Sequence, residues 1–166
     1  MTDYSALIGA LTDAGVDVIL VGGFAATVHG SARFTQDMDV SYLRTPANLE
    51  RLVEALEPLD PYLRGAPRGL PFDWSVATLK AGLNFTLTTK AGALDLLGEI
   101  TGGGSYEALL PHTTVVTLFG RAVRVLDLEW LIRTKRAAGR PRDLEAIAEL
   151  EALREERAQR DRNEPT

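Results

Sequence analysis

Two aspartates one residue apart, Asp37 and Asp39, follow a glycine pair, Gly22-Gly23, with thirteen residues between. On a strand, residues two apart project from one face, with Cα atoms about 6.5–7 Å apart. Carboxylates held that close repel, and a hard divalent cation with oxygen ligands is the usual compensation. Met38, between them, points the other way and into the sheet. The pair therefore reads as ligands for Mg²⁺, with Mn²⁺ as the alternative ion, rather than as an acid/base couple. A strand that ends in two glycines before a short helix lets backbone N–H groups approach an anion, and the helix start adds positive partial charge. Polyphosphate oxygens suit such a place. Either feature alone is commonly a plain tight turn or an exposed strand edge; the order and spacing together carry the reading.

Other residues could complete such a site. Arg33 and Thr35 stand just before the aspartates, in a connection that must pass near the metals. Arg33 could reach a triphosphate or an acceptor, or remain a surface arginine. Residues 133–142 (RTKRAAGRPR) hold five cationic side chains and no acid, in a chain of net charge -5. That local reversal of sign makes Arg140 a candidate phosphate contact, against a solvated basic helix end. Asp143 can cap the helix that follows or pair with one of these bases, and capping is the preferred reading. His29 and His112 have no partner that would make them catalytic. Phe72, Trp74 and Phe85 could line a base pocket, but core packing is the better account of each.

The elements that must position these residues are legible in outline. Leu7, Ile8 and Leu11 recur at helical spacing, with Gly15 as a stop. Residues 17–21 (DVILV) read as a buried strand, residues 24–29 as a brief helix, and residues 37–43 as an alternating strand. Pro46 opens an amphipathic helix carrying Leu49, Leu52, Val53 and Leu56. Residues 57–74, with four prolines and two glycines, read as a long loop of the kind that is often functional. Residues 83–88 and 93–97 read as paired strands, and residues 102–104 (GGG) as a flexible break that could act as a lid hinge. Residues 113–119 and 121–126 suggest a hairpin around Gly120. Asp127 is the N-cap candidate of a helix with Leu128, Leu131 and Ile132. A last helix starts near Arg142 and packs Leu144, Ile147, Leu150 and Leu153. Beyond Ala158 the apolar face ends.

The totals exclude several classes. A chain of 166 residues fits one domain with a small helical appendage. The absence of cysteine removes disulfides, thiolate metal sites and cysteine nucleophiles. The acidic balance argues against a non-specific nucleic-acid coat. No secretory pattern and no apolar run near the ~20 residues of a membrane span are seen, so a cytoplasmic protein without a membrane partner is expected.

The pattern of an apolar strand, Gly22-Gly23, a short helix and then Asp37-Met38-Asp39 resembles the signature of the nucleotidyltransferase superfamily, the polymerase-β-like fold. Within it, HGSARFTQDMDV and LIRTKRAAGRPRDLEAIAEL resemble the small bacterial proteins related to AbiEii-type toxins. The resemblance implies an α/β (α+β) fold, a mixed β-sheet flanked by helices with a C-terminal helical hairpin. It divides the chain into a core over residues 1–126, a hairpin over 127–158 and a disordered tail over 159–166. It implies a third carboxylate on a neighbouring strand, for which Asp95 in ALDLL is the candidate; the alternative is an edge-strand aspartate facing water. It also implies that Lys135 contacts phosphate. Three carboxylates would hold two Mg²⁺ ions, and the activity implied is transfer of a nucleoside monophosphate from an NTP to an acceptor hydroxyl on tRNA, a protein or a small molecule. A toxin with a cognate antitoxin partner is one such setting. The alternative class is a non-catalytic nucleotide-binding or antitoxin-like regulatory module, favoured by Gly23, where many active relatives carry serine.

Overall fold

In the computed structural model, which describes residues 1–164, the chain order is α1 (Tyr4–Asp13), β1 (Val18–Val21), α2 (Gly22–Val28), β2 (Asp37–Tyr42), α3 (Pro46–Leu56), β3 (Tyr62–Leu63), α4 (Val76–Ala81), β4 (Asn84–Thr89), β5 (Gly92–Leu97), β6 (Glu99–Ile100), β7 (Gly104–Ser105), α5 (Tyr106–Leu109), β8 (Thr113–Leu118), β9 (Arg121–Leu126), α6 (Leu128–Ala138) and α7 (Asp143–Asn163). Short apolar runs set the centre of the sheet. Ile19, Leu20 and Val21 are buried in β1, and Met38 and Val40 are fully buried in β2. Seven strands form one sheet in the order β3-β4-β5-β2-β1-β9-β8. Two pairings, β2 with β5 and β1 with β9, are parallel, and the others are antiparallel. The expected mixed sheet flanked by helices is therefore present.

Helix α1 packs on β9 and on α3, which also meets α4, while α2 sits against β1, β2 and α6. Helix α3 begins as its sequence requires: Thr45 accepts a hydrogen bond from the Asn48 amide, and Pro46 occupies a first-turn position where no N–H is needed. Asn48, fully buried, fastens this helix to the sheet. Its Oδ1 accepts from the Asp17 amide at 2.7 Å, and its Nδ2 donates to the Leu43 carbonyl at 2.7 Å and to the Asp17 carbonyl at 3.1 Å. Asn48→Ala leaves these buried backbone groups without partners, so a loss of about 2–4 kcal/mol is expected in urea unfolding. A loss below about 0.5 kcal/mol would mean that water replaces the side chain.

Several expectations are corrected. The helix after β1 starts at Gly22 itself, not at Phe24. Residues 57–74 are not all loop, because β3 adds an edge strand to β4 with Tyr62 opposite Thr88 and Leu63 opposite Leu87. Its two residues are too few to show an alternation between prolines. Helix α4, capped by Ser75, had no periodic apolar pattern to announce it. Gly102 and Gly103 lie in the turn of the small β6-β7 hairpin and Gly104 opens β7, and an added Cβ on Gly102 would come within 2.3 Å of the Ala137 Cβ. The glycines there allow close packing on α6 rather than a hinge. Asp127 occupies the N-cap position of α6 but makes no capping hydrogen bond; its Oδ1 accepts from the Thr114 hydroxyl at 2.7 Å.

Helices α6 and α7 form the expected hairpin, with Arg154 on Glu129 at 2.9 Å and Arg136 paired with Glu151. Leu150 is buried as expected, but Leu144 is exposed, and Asp143 and Ala146 take buried positions the apolar spacing did not indicate. The tail expected from residue 159 is helical through Asn163. Ala158, Gln159 and Arg160 are good helix formers, and Arg160 and Arg162 lie in the last turn, where cations suit the helix dipole. Residues 165 and 166 of that expected tail lie outside the described residues. Among the described residues, no helix is long and apolar enough to cross a membrane.

Candidate active site

The sheet register brings the acids together. On parallel β2 and β5, Asp39 lies opposite Asp95, and Asp37 lies opposite Ala93. Each of Asp37, Asp39 and Asp95 offers one carboxylate oxygen within 4.8 Å of the other two. Asp39 is the innermost. Its Oδ1 is buried and finds no hydrogen-bond partner among the described residues. Burial, reinforced by the charges of Asp95 and Asp37, pushes its carboxyl up to about 7. Burial also raises Asp95 above its ordinary value, against the lowering effect of Arg64. An unpartnered buried carboxylate oxygen beside two more carboxylates could hold a hard divalent cation. The residues present fit Mg²⁺ or Mn²⁺.

The glycines have roles the sequence did not assign. Gly22 has φ +67°, and a Cβ built there would lie 2.1 Å from Asp39 Oδ2. Its bare Cα is what allows the Asp39 carboxylate to sit against the start of α2. A Cβ on Gly23 would lie 3.0 Å from the Thr35 hydroxyl. Glycine at 23 is thus matched to Thr35, whose Oγ1 donates to the Asp37 carbonyl at 3.2 Å. A serine there would need Thr35 to shift by a few tenths of an ångström, so glycine suits the local packing.

A cavity of about 450 Å³ opens beside the carboxylates. Gly23, Arg33, Thr35, Asp37, Asp39, Asp95, Lys135 and Arg140 all border it. Gly22 borders the adjoining cavity together with Gly23, Asp39, Lys135 and Arg140. Every site residue expected from the sequence therefore borders one of two cavities that share Gly23, Asp39, Lys135 and Arg140. Lys135 and Arg140 are held there by Asp143, whose side chain is only 4% exposed; Arg140 Nε donates to its Oδ2 at 2.7 Å, and Lys135 Nζ stands 3.8 Å from its Oδ1. Asp143 thus pairs with the bases and makes no capping hydrogen bond, and Arg140 holds its carboxyl below the ordinary range. Arg33 is half-exposed and 3.6 Å from the well-exposed Glu145, a pairing weak enough for an arriving anion to break.

Residues that sequence reasoning passed over also matter. Arg64, just beyond β3, places Nη1 3.3 Å from Asp37 Oδ2 and pairs its Nη2 with Asp95 Oδ1. A lone arginine between prolines offered no signal. Tyr4 stacks on Phe24 with ring centroids 4.1 Å apart, and its hydroxyl donates to the Thr35 carbonyl at 2.8 Å. It braces the connection that delivers Asp37. His29 is structural: its Nε2 lies 2.8 Å from the Leu126 carbonyl, and burial lowers its pKa. Phe85 is buried in the core, and Phe72 and Trp74 pack against it.

No family model matches the chain, and no curated protein matches its sequence. Solved structures do. The solution structure of the antibiotic-resistance factor ANT(2'')-Ia has a TM-score of 0.54 at 17% identity, over 93% of this chain and 89% of that one. The crystal structure of ANT(2'')-Ia in complex with adenylyl-2''-tobramycin has a TM-score of 0.52 at 15% identity, over 93% of this chain and 94% of that one. A Thermotoga maritima protein held to be a nucleotidyltransferase has a TM-score of 0.50 at 13% identity, over 92% of this chain and 89% of that one. At such identities the likeness is one of backbone architecture, and it extends over nearly the whole chain. The chain is built on the fold of the nucleotidyltransferases.

Proposed function

We propose that the protein transfers a nucleoside monophosphate from an NTP to an acceptor hydroxyl, with Mg²⁺ bound by Asp37, Asp39 and Asp95. The observation that carries this reading is the convergence of three carboxylates, one with a buried unpartnered oxygen, beside a cavity lined by cations. The acceptor oxygen bonds to the α-phosphorus, the bond from that phosphorus to the bridging oxygen breaks, and pyrophosphate leaves. Divalent ions bound there would polarise the phosphoryl oxygens and favour the alkoxide form of the acceptor. Asp95, raised by burial, is placed to take the acceptor proton. Lys135 and Arg140, oriented by Asp143, neutralise the triphosphate, and Gly23 keeps the backbone of α2 open to it.

Lys135 separates binding from chemistry. Removing one charge-assisted phosphate contact is worth about 1.5–3 kcal/mol, so Lys135→Ala should raise KM for the NTP by about 10- to 100-fold. A fall in kcat with KM unchanged would move Lys135 from ground-state binding to the reaction itself.

The acceptor classes to test are small polyhydroxylated molecules, tRNA and protein side chains. Tobramycin is adenylylated in one structural relative, which makes a small molecule the first to try. The basic stretch at 133–142 keeps RNA next, and growth arrest on expression, relieved by a partner protein, would place the activity in a toxin pair. The direct experiment incubates the protein with each of four α-labelled NTPs, Mg²⁺ and these acceptors. Mg²⁺-dependent NTP binding without label transfer to any of them would favour a nucleotide-binding regulator. NTP binding that survives Asp37→Asn with its Mg²⁺ dependence intact would count against the site itself.

A further inference from the structure

The acids of the site are not the whole of the row they occupy. Across the sheet, Val21, Asp39, Asp95 and Thr86 stand opposite one another in turn. The Arg64 amide extends the row by donating to the Thr86 carbonyl at 3.0 Å. Position 64 is therefore fixed by backbone pairing three strands away from Asp39, and its long side chain reaches back over β4 and β5. There it contacts both outer carboxylates, Asp37 at 3.3 Å and Asp95. Its Nε is buried and finds no partner among the described residues. The guanidinium is thus placed by the two acids rather than by a complete hydrogen-bond set of its own.

We propose that Arg64 is the resident cation of this carboxylate cluster: it neutralises Asp37 and Asp95 while the divalent ion is away and yields them when the ion binds. An arginine cannot lose its charge in a protein. Carboxylate oxygens that must approach Mg²⁺ to about 2.0–2.1 Å are the same groups that hold Nη1 and Nη2, and cations crowded onto them repel. Room for the side chain exists next door. A cavity of about 540 Å³ is bordered by Arg64, Asp37, Tyr4, Phe34 and Gly92, so the guanidinium can turn away while its backbone stays bonded to Thr86. Arg64 then sets the ion concentration at which the site becomes competent. It also spares the metal-free protein two unscreened carboxylates.

The inference rests on the divalent-ion reading of the cluster, and the test separates the two. The full-length protein, stripped with EDTA, is titrated with Mn²⁺ by calorimetry and melted with and without the ion, as wild type and as Arg64→Met. Arg64→Met should bind Mn²⁺ about tenfold tighter or more and melt at a lower temperature in EDTA. An arginine that only props up the loop would, when removed, weaken both. Equal or weaker Mn²⁺ binding by Arg64→Met overturns the role of Arg64 and leaves the metal reading standing; no Mn²⁺ binding by wild type overturns both. If the variant fails to fold, wild type suffices: Arg64 should resist phenylglyoxal in EDTA and react in Mn²⁺, read by peptide mass spectrometry. Unchanged reactivity overturns the proposal.

Discussion

Alanine at position 22 is expected to lower stability and disable the carboxylate site together. Two penalties coincide there. The backbone lies at φ +67°, and a left-handed conformation costs a residue with a Cβ about 1–2 kcal/mol. The new methyl would also fall 2.1 Å from Asp39 Oδ2, so either the carboxylate or the start of α2 must move. Gly15 supplies the control, because it shares the conformation, at φ +69°, yet a Cβ there meets nothing within 4 Å. Gly15→Ala should lose only the backbone part. Gly22→Ala should lose about 3–5 kcal/mol in urea unfolding and at least about 100-fold in kcat, since a displaced ligand misplaces the reacting groups. Equal losses for the two substitutions would show that Asp39 yields freely and that the close approach does not matter.

The second large effect is a reversal of the usual response to pH. The folded-state pKa of Asp39 is raised, to about 7 from an ordinary 3.8. Between those values the unfolded chain releases the proton while the folded protein keeps it, so metal-free stability must fall as pH rises through that window. At about 1.36 kcal/mol per unit the full effect approaches about 4 kcal/mol above pH 7. Asp95, also raised by burial, adds to this fall, whereas His29, lowered by burial, opposes it below about pH 6.5. Asp13 and Asp143, both held low by arginines, lose their contribution only below about pH 4. Melting in EDTA should therefore show wild type less stable at pH 8 than at pH 5. Asp39→Asn should flatten that slope and be the more stable of the two at pH 8. Added Mg²⁺ should stabilise wild type at pH 8 by mass action and leave Asp39→Asn nearly unmoved. A metal-free wild type that gains stability from pH 5 to 8 would remove the case for a buried, uncompensated Asp39.

Together these experiments ask whether one crowded point, where Gly22 meets Asp39 and Asp39 meets Asp95, governs both stability and activity. Strain at that point is tolerated because β1, β2 and β5 around it are packed by fully buried side chains such as Ile19, Met38, Val40, Leu94 and Leu96. A rigid apolar sheet can hold three carboxylates at separations they would not choose in water. Arg64 relieves part of the repulsion, and a divalent ion would relieve the rest.

By itself, the amino-acid sequence determined what depends on near neighbours. The alternation in DMDVSY put Asp37 and Asp39 on one face and Met38 and Val40 on the other, because successive strand residues must alternate. Gly22-Gly23 marked the end of β1, Pro46 marked the start of α3, and the apolar spacing of α1 and α3 identified their buried faces. What depends on distant partners needed the fold. Asp95 meets Asp39 only through the parallel register of β2 and β5. Asp143 chose Arg140 and Lys135 over its own helix end because the turn between α6 and α7 buries it between them. Arg64 sits in a proline-rich stretch with no local period, and a two-residue edge strand places it. The reason for Gly22 was hidden as well: the contact that forbids a side chain there lies seventeen residues ahead, across the β1-β2 pair, where Asp39 faces Val21.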